Sequence, residues 1–441
     1  MNVLFLSLGC DKNLVDAEVM LGLLNSHGYQ VTDREEEAEI IIINTCCFIH
    51  DAKEESIQQI LEMAALKDAG KLRALIVSGC LAQRYKEEIL TEIPEVDGVV
   101  GTSAYDKIVT AIDDALKGHK TIIMDHLDTS PEVDTKRMLT TGGHYAYLKI
   151  AEGCAKHCTY CIIPRVRGKF RSVPEERILK EAKELAEQGV KELIIVAQET
   201  TMYGVDLYGR KALPQLLRKL CSIDGFRWIR LLYCYPEEIT EELIQVIKEE
   251  QKICNYLDIP IQHGNNDILK RMGRQTTKVE LISIIQKIRK EIPDICLRTT
   301  LITGFPGETK VQHEELLDFI DEMKFDRLGV FTYSPEEDTP AATMPDQIPE
   351  EVKEERQAEL MELQQEIVFA LGEELVGQEV WVMIEGKLVE ESAYVGRTYR
   401  DSPGIDGLIF IETGEEMISG DFVKVRITEA VEYDLVGELV E

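Results

Sequence analysis

Positive charge is scarce in this 441-residue chain: 49 lysines and arginines stand against 81 aspartates and glutamates, a formal net charge of −32. That balance repels nucleic-acid phosphate and anionic lipid at long range, which excludes a broad electrostatic grip on either but leaves room for a local basic site or a basic partner. Long apolar runs are missing as well. No stretch approaches the roughly 18 apolar residues of a membrane span, and the apolar opening 1–10 carries neither a basic leader nor a small-residue cleavage site. A cytoplasmic location is therefore expected, with no membrane partner. Low-complexity tracts are absent, and a chain that is 44% hydrophobic and 29% charged should fold. Cysteine is plentiful, yet eleven is an odd number, and in a reducing compartment they are poor material for a disulfide framework. Metal or redox chemistry is the better expectation.

At roughly 100–200 residues per domain the length implies about three domains, and the hydrophobic pattern changes along the chain accordingly. Over 1–124, apolar runs at 3–8, 40–44 and 74–78 alternate with helical stretches, the first carrying Val15, Val19 and Leu23 on one face and closing at Gly28. Strands alternating with helices imply right-handed βαβ units and an open parallel sheet. A connection over 125–144 leads to a second series, 140–334, with strands expected at 145–151, 192–197, 228–233, 256–261, 297–303 and 328–332. Six such units suggest a partial (βα)6 version of the eight-unit barrel, with its site at the strand C-termini. Over 335–374 come a proline-punctuated loop and a charged helix from about 350 to 374. The tail 375–441 has short alternating strands, such as 379–384 and 422–427, that suit a small closed β-barrel. The loop from Ser334 would let that tail reorient.

Two cysteine sets stand out. Cys154-Ala-Lys-His-Cys158-Thr-Tyr-Cys161 places three thiols within eight residues just after the first barrel strand, and soft sulfur ligands in that spacing suit one iron–sulfur cluster. Structural zinc would want a fourth ligand that His157 is poorly placed to supply, and three merely buried cysteines are a weak account of the spacing. The second set is dispersed: Cys10, Cys46 and Cys80 each sit just beyond the carboxyl end of an expected parallel strand, where open α/β sheets converge their functional loops. Gly9 and Gly79 would permit a tight exit from the strand. Core packing is the competing reading for these three, and it is the preferred one for Cys47, Cys221, Cys234, Cys254 and Cys296.

The CxxxCxxC run, with the aromatic Tyr160 before its last cysteine, resembles the cluster motif of radical S-adenosylmethionine enzymes. Together with the three N-terminal cysteines and the small terminal barrel, the chain over essentially its whole length resembles the methylthiotransferases, whose order is an N-terminal cluster domain, a radical barrel and an OB-like TRAM domain. Ser7-Leu8-Gly9-Cys10 followed by Lys12 to Asp16, Asn44-Thr45-Cys46, Gly79 to Tyr85, Asp326 to Phe331 and Tyr394 to Gly407 look like the ribosomal branch of that family. Asp11 stands where proline is common and Glu199 where aspartate is common, and neither departure touches a cysteine.

The resemblance implies two 4Fe-4S clusters, one held by Cys154, Cys158 and Cys161 and one by Cys10, Cys46 and Cys80, with S-adenosylmethionine as both radical source and methyl donor. It implies methylthiolation at the β-carbon of an aspartate in the twelfth small-subunit ribosomal protein, free or within the small subunit, and an electron donor such as flavodoxin or ferredoxin. Tyr160 would stack near adenine, while Gly304 in the Ile302 to Glu308 turn and Gln262 beside His263 would face the cofactor at strand ends; packing, a plain turn and a solvated strand terminus compete with these roles. Arg165, Arg167, Lys169 and Arg171 form a basic island that would draw a carboxylate toward the cluster, or else a solvated loop. A tRNA adenosine methylthiotransferase is the nearest alternative, and a non-catalytic iron–sulfur carrier or sensor a more distant one. The tail counts against tRNA: its 67 residues carry a net charge of −10, which suits a basic protein better than phosphate.

Overall fold

The runs Ile40 to Ile43 and Ala74 to Val77 contain no polar residue, a pattern that suits parallel strands covered on both faces. In the computed structural model, which describes residues 1–70, 72–131, 133, 135–388 and 393–440, they do form such strands. The N-terminal sheet contains β1 (Asn2–Ser7), β2 (Gln30–Thr32), β3 (Ile40–Thr45), β4 (Ala74–Ser78), β5 (Gly98–Val100) and β6 (Thr121–Ile123). All pairs are parallel, in the order β2-β1-β3-β4-β5-β6. Alternation divides the isoleucines between two cores: Ile41, Ile43, Leu75 and Val77 enter one, and Ile40, Ile42, Ala74 and Ile76 the other. The expected strands are present; β2, β5 and β6 are additions of three residues each, too short to show a period.

The expected strand at 145–151 divides. β7 (Tyr145–Lys149) joins the central sheet, while β8 (Ala151–Glu152) pairs antiparallel with β9 (Arg171–Ser172). The central sheet continues through β10 (Glu192–Val196), β11 (Trp228–Leu231), β12 (Ile253–Asp258), β13 (Cys296–Thr303) and β14 (Arg327–Thr332), in the order β14-β13-β12-β11-β10-β7. Neighbours therefore follow one another along the chain, as in a (βα)6 part-barrel. β12 ends earlier than the expected 261, because Pro260 has no N–H to give a ladder. Beyond it Gln262 makes an isolated parallel bridge to Leu301 with φ +73°. The tail is a closed barrel of β15 (Glu379–Leu388), β16 (Ala393–Thr398), β17 (Ile409–Glu412), β18 (Phe422–Val431) and β19 (Asp434–Leu439), ordered β15-β16-β17-β19-β18. The charged helix runs Glu350–Glu373.

Two compact units result. One gathers Met1–Thr140, Lys149–Val173 and Ser334–Ala342; the other gathers Thr141–Leu148, Pro174–Tyr333 and Thr343–Glu441. Within the second unit ion pairs join the terminal barrel to the central sheet. Arg397 joins Glu192 at 2.6 Å and Glu385 at 2.7 Å, Arg230 joins Glu192 at 2.7 Å, and Glu385 meets His144 at 2.8 Å. Arg298 spans Asp258 and Asp406, and Arg327–Asp401 and Arg400–Asp326 add two more pairs. Among the described residues no helix is long and apolar enough to cross a membrane.

Candidate functional site

Three strand ends of the first unit are sewn together by short polar side chains. From the helix α1 (Asp11–Ser26), Asn13 Nδ2 donates to the carbonyl oxygens of Leu8 at 2.6 Å and Thr45 at 3.3 Å; Asn44 Nδ2 returns a bond to Asn13 O at 2.8 Å. Thr45 Oγ1 donates to Ser78 O at 2.5 Å. Ser56 Oγ accepts from Cys46 N at 3.0 Å and donates to Cys46 O at 2.9 Å, fixing that backbone from the helix His50–Asp68. These bonds hold Cys10, Cys46 and Cys80 at one edge. Cys10 is the N-cap residue of α1, and Cys80 lies in the first turn of the helix Gly79–Tyr85 rather than in a loop.

Their proximity is electrostatic as well as topological. Burial pushes the Cys46 thiol up to about 12, with Cys80 and Cys10 adding to the rise. Burial also raises Cys80, although Arg167 beside it opposes the shift. Gly9 and Gly79 are required here. Gly9 has φ +88°, and a Cβ on it would stand 2.6 Å from Cys46 Cβ and 2.9 Å from Cys46 Sγ; Gly79 has φ +91°, with Thr45 O at 2.5 Å. Cys47 is fully buried in the core cluster that holds Leu75, Val77 and Cys80, with Arg84 beside its thiol. Cys221, Cys234, Cys254 and Cys296 are buried elsewhere in the second unit.

The loop Lys149–Val173 belongs to the same unit and carries the other three thiols. Gly153 at φ +78° lets its backbone approach Lys169 O, and Cys154 N donates to Gly168 O at 3.2 Å, so the loop closes on itself. His157, at φ +53°, bends the chain between Cys154 and Cys158. Lys156 N lies 3.5 Å from Cys154 Sγ, Cys161 N donates to Cys158 O at 3.1 Å, and Ala341 N ties the loop down through Thr159 O at 2.9 Å. Cys154 and Cys158 are buried and Cys161 is half-buried.

Both sets are all-thiol, the soft donor chemistry of iron–sulfur clusters. Among the described residues no group of three or more His, Cys, Asp or Glu side chains is arranged to hold a metal ion; it is the donor chemistry, three thiols in each set, that fits an iron–sulfur cluster.

Between the two sets lies a charge cluster that sequence reading did not assemble. Arg167 Nη1 meets Asp16 at 2.5 Å and Glu152 at 3.2 Å, and Lys149 donates to both carboxylates. Burial opposes ionisation of Glu152, but Lys149 and Arg167 hold it well below its ordinary value. The same burial would lower Lys149 and Arg167; their anionic neighbours keep both above their usual range. The available signal was Asn13 and Asp16 at i, i+3, on one face of the first helix.

The remaining expected positions are scattered. Tyr160 is half-buried beside Cys161, and Arg165 is exposed, 3.6 Å from Asp338. The expected basic island is not a uniform surface feature: Arg167 is buried and Arg171 Nη1 donates to Arg167 O at 2.8 Å. Gln262 and Gly304 belong to the second unit. Gly304 sits at φ +70°, and a Cβ on it would stand 2.3 Å from Lys353 Cγ of the long helix.

Three family descriptions match the chain: the uncharacterized protein family UPF0004 over residues 2–101, the radical SAM superfamily over 148–320 and the TRAM domain over 376–440. The chain is 64% identical over 437 residues to the ribosomal protein uS12 methylthiotransferase RimO of Lachnoclostridium phytofermentans, spanning 99% of each. Identity to the protein of the same name from Clostridioides difficile is 51% over 434 residues, 98% of each. A solved structure of the radical S-adenosylmethionine methyltransferase TsrM from Kitasatospora setae, with cobalamin and a 4Fe-4S cluster bound, shares the fold with a TM-score of 0.56 at 14% identity. It covers 77% of this chain and 73% of that one.

Proposed function

Because the chain belongs to the RimO family of radical S-adenosylmethionine methylthiotransferases, we propose that it inserts a methylthio group at the β-carbon of an aspartate in ribosomal protein uS12. Cys154, Cys158 and Cys161 hold the 4Fe-4S cluster, and Cys10, Cys46 and Cys80 hold a second one. When bound, the first cluster and S-adenosylmethionine supply a 5′-deoxyadenosyl radical, which an unactivated C–H bond with no useful acidity requires. The chain's own residues bind, orient and exclude water. Buried Cys46, Cys80, Cys154 and Cys158 keep their donor atoms out of solvent. Tyr160 offers a ring to adenine, Gln262 a polar strand terminus to the cofactor, and Arg165 a cation to its carboxylate. Reducing equivalents come from a small carrier such as flavodoxin or ferredoxin.

One observation carries the reading: three cysteines distant in sequence are brought to one sheet edge, in the same compact unit as the CxxxCxxC loop. The charge of the tail favours a basic protein over tRNA. Of its five cations, Arg397 is buried and Arg400 half-buried in ion pairs, Lys424 and Arg426 pair with Glu379, and Lys387 lies over the Tyr394 ring. The described residues of the tail leave no basic stripe for phosphate.

The test is anaerobic incubation of the cluster-loaded chain with reductant, S-adenosylmethionine and either uS12 or tRNA, followed by mass spectrometry. A methylthio gain on uS12 is expected. The same gain on tRNA alone would reassign the substrate, and a failure to form 5′-deoxyadenosine would leave an iron–sulfur carrier.

A further inference from the structure

Arg167 ends the short helix Ile163–Arg167, just beyond Cys161, with 2% of its side chain exposed. Each guanidinium nitrogen is engaged. Nη1 donates to Asp16 Oδ2 at 2.5 Å and Glu152 Oε2 at 3.2 Å, Nη2 to Asn13 Oδ1 at 2.9 Å, and Nε to Cys80 Sγ at 3.3 Å. Lys149 shares the two carboxylates, donating to Asp16 and, at 2.6 Å, to Glu152. Two cations therefore balance two anions, and that balance does not need the contact between Nε and sulfur. Meanwhile Asn13, the partner of Nη2, is the side chain that ties the Leu8 and Thr45 carbonyls together beside Cys10 and Cys46. One residue of the CxxxCxxC loop thus reaches both the ligand set at the sheet edge and the side chain that organises it.

We propose that Arg167 is a positioning residue for the cluster held by Cys10, Cys46 and Cys80: its Nε–H donates to the Cys80 sulfur and raises that cluster's reduction potential, while Nη1 and Nη2 lock the loop of the radical cluster to the same edge. The inference rests on the reading that these three cysteines hold a cluster. A donor to a ligating sulfur withdraws electron density, and a nearby guanidinium favours the more negative, reduced state; both act in the same direction. Lysine at this position keeps a cation for Asp16 and Glu152 but has no donor where Nε stands. Arg167→Lys therefore separates the sulfur contact from charge balance.

The experiment uses the full chain with Cys154, Cys158 and Cys161 replaced by alanine, so that only the N-terminal site can load. Iron and sulfide analysis comes first: a chain that takes up no iron overturns the cluster reading itself. In the loaded protein, a redox titration followed by electron paramagnetic resonance compares Arg167 with Arg167→Lys. The expected result is a tenfold smaller reduced-to-oxidised ratio at fixed potential in the lysine variant, equivalent to about 59 mV for one electron. An unchanged potential, even with reduced iron content, overturns the proposal and leaves Arg167 a purely structural residue. A measurement without substitution at position 167 guards against a variant that fails to fold. With arginine labelled by nitrogen-15 in the guanidino group, the reduced cluster should show a weak nitrogen-15 hyperfine coupling, and its absence overturns the proposal equally.

Discussion

Arg397 of β16 and Glu192 of β10 lie 205 positions apart in sequence and meet at 2.6 Å between Nη2 and Oε2, both side chains fully buried. Glu192 also receives Arg230 Nε at 2.7 Å, so a single carboxylate carries two buried guanidinium groups, one from the central sheet and one from the terminal barrel. Glu192→Gln would leave Arg230 short of its anion and Arg397 with Glu385 alone. The expected cost is about 3–5 kcal/mol, read as a lower urea midpoint. A midpoint equal to the parent's would show that the pair does not hold the barrel in place.

Acid should loosen the same unit, and the sign follows from three carboxylates. Burial works against the ionisation of Glu192, Glu385 and Asp401, but Arg230 with Arg397, His144 with Arg397, and Arg327 respectively hold them below their ordinary values. A carboxylate depressed in the folded state stabilises above its unfolded value, roughly pH 4, and that stabilisation is lost as pH falls through the lower folded value. Asp258 acts the other way, since burial raises it despite Arg298. With these three, and Glu308 depressed likewise by its histidine and arginine neighbours, against one, the unfolding midpoint is expected to fall steeply below about pH 4, and less steeply in Glu192→Gln. A midpoint flat from pH 6 to pH 3 would contradict this.

How far the sequence showed this arrangement depended on the range of the interactions. The strands β1, β3 and β4 were visible because their burial on both faces makes them continuously apolar, and the CxxxCxxC loop because its ligands are local. Cys10, Cys46 and Cys80 were recoverable only through their shared place at strand ends. By contrast, the Arg167–Asp16 and Arg397–Glu192 contacts join residues whose neighbours in sequence say nothing about each other. A buried arginine looks like a surface arginine until its partner is known. For that reason the basic island was read as one feature, whereas Arg165 is exposed and Arg167 is buried.

Cys46 and Cys47 are adjacent and should separate cleanly on substitution. Cys46 has its backbone fixed by Ser56 at the strand end it shares with Cys10 and Cys80, while Cys47 is fully buried in the core cluster of Leu75 and Val77, with Arg84 beside its thiol. Cys46→Ala is expected to lose half of the bound iron. Cys47→Ala should retain all of it and cost about 1 kcal/mol for the small cavity. Iron analysis with thermal unfolding distinguishes the two, and equal iron loss would mean that Cys47 can serve as a ligand.

Gly79→Ala places a methyl group 2.5 Å from Thr45 O and 2.8 Å from Thr45 N, at φ +91°. Thr45 O and N are backbone atoms of β3, so a side-chain rotation cannot relieve the strain. A loss of about 1–3 kcal/mol should accompany displacement of Cys80 and selective loss of the iron bound at the sheet edge. Full iron content at unchanged stability would show that the strand exit tolerates a side chain.

The acidic tail should act on encounter with the substrate rather than on chemistry. Glu415, Glu416 and Glu432 are exposed on or beside the terminal barrel, whose own cations are largely occupied. Charge of opposite sign on a basic protein speeds association and is screened by salt over roughly 8–10 Å. Replacing these three glutamates by lysine should therefore lower kcat/KM for uS12 several-fold at low ionic strength, leave kcat unchanged, and weaken the dependence of kcat/KM on salt. The fold should survive, because none of the three supplies a buried ion pair. If the substituted chain kept the parent's kcat/KM at low salt, the tail would contribute solubility alone and the preference for a basic partner would have to come from another surface.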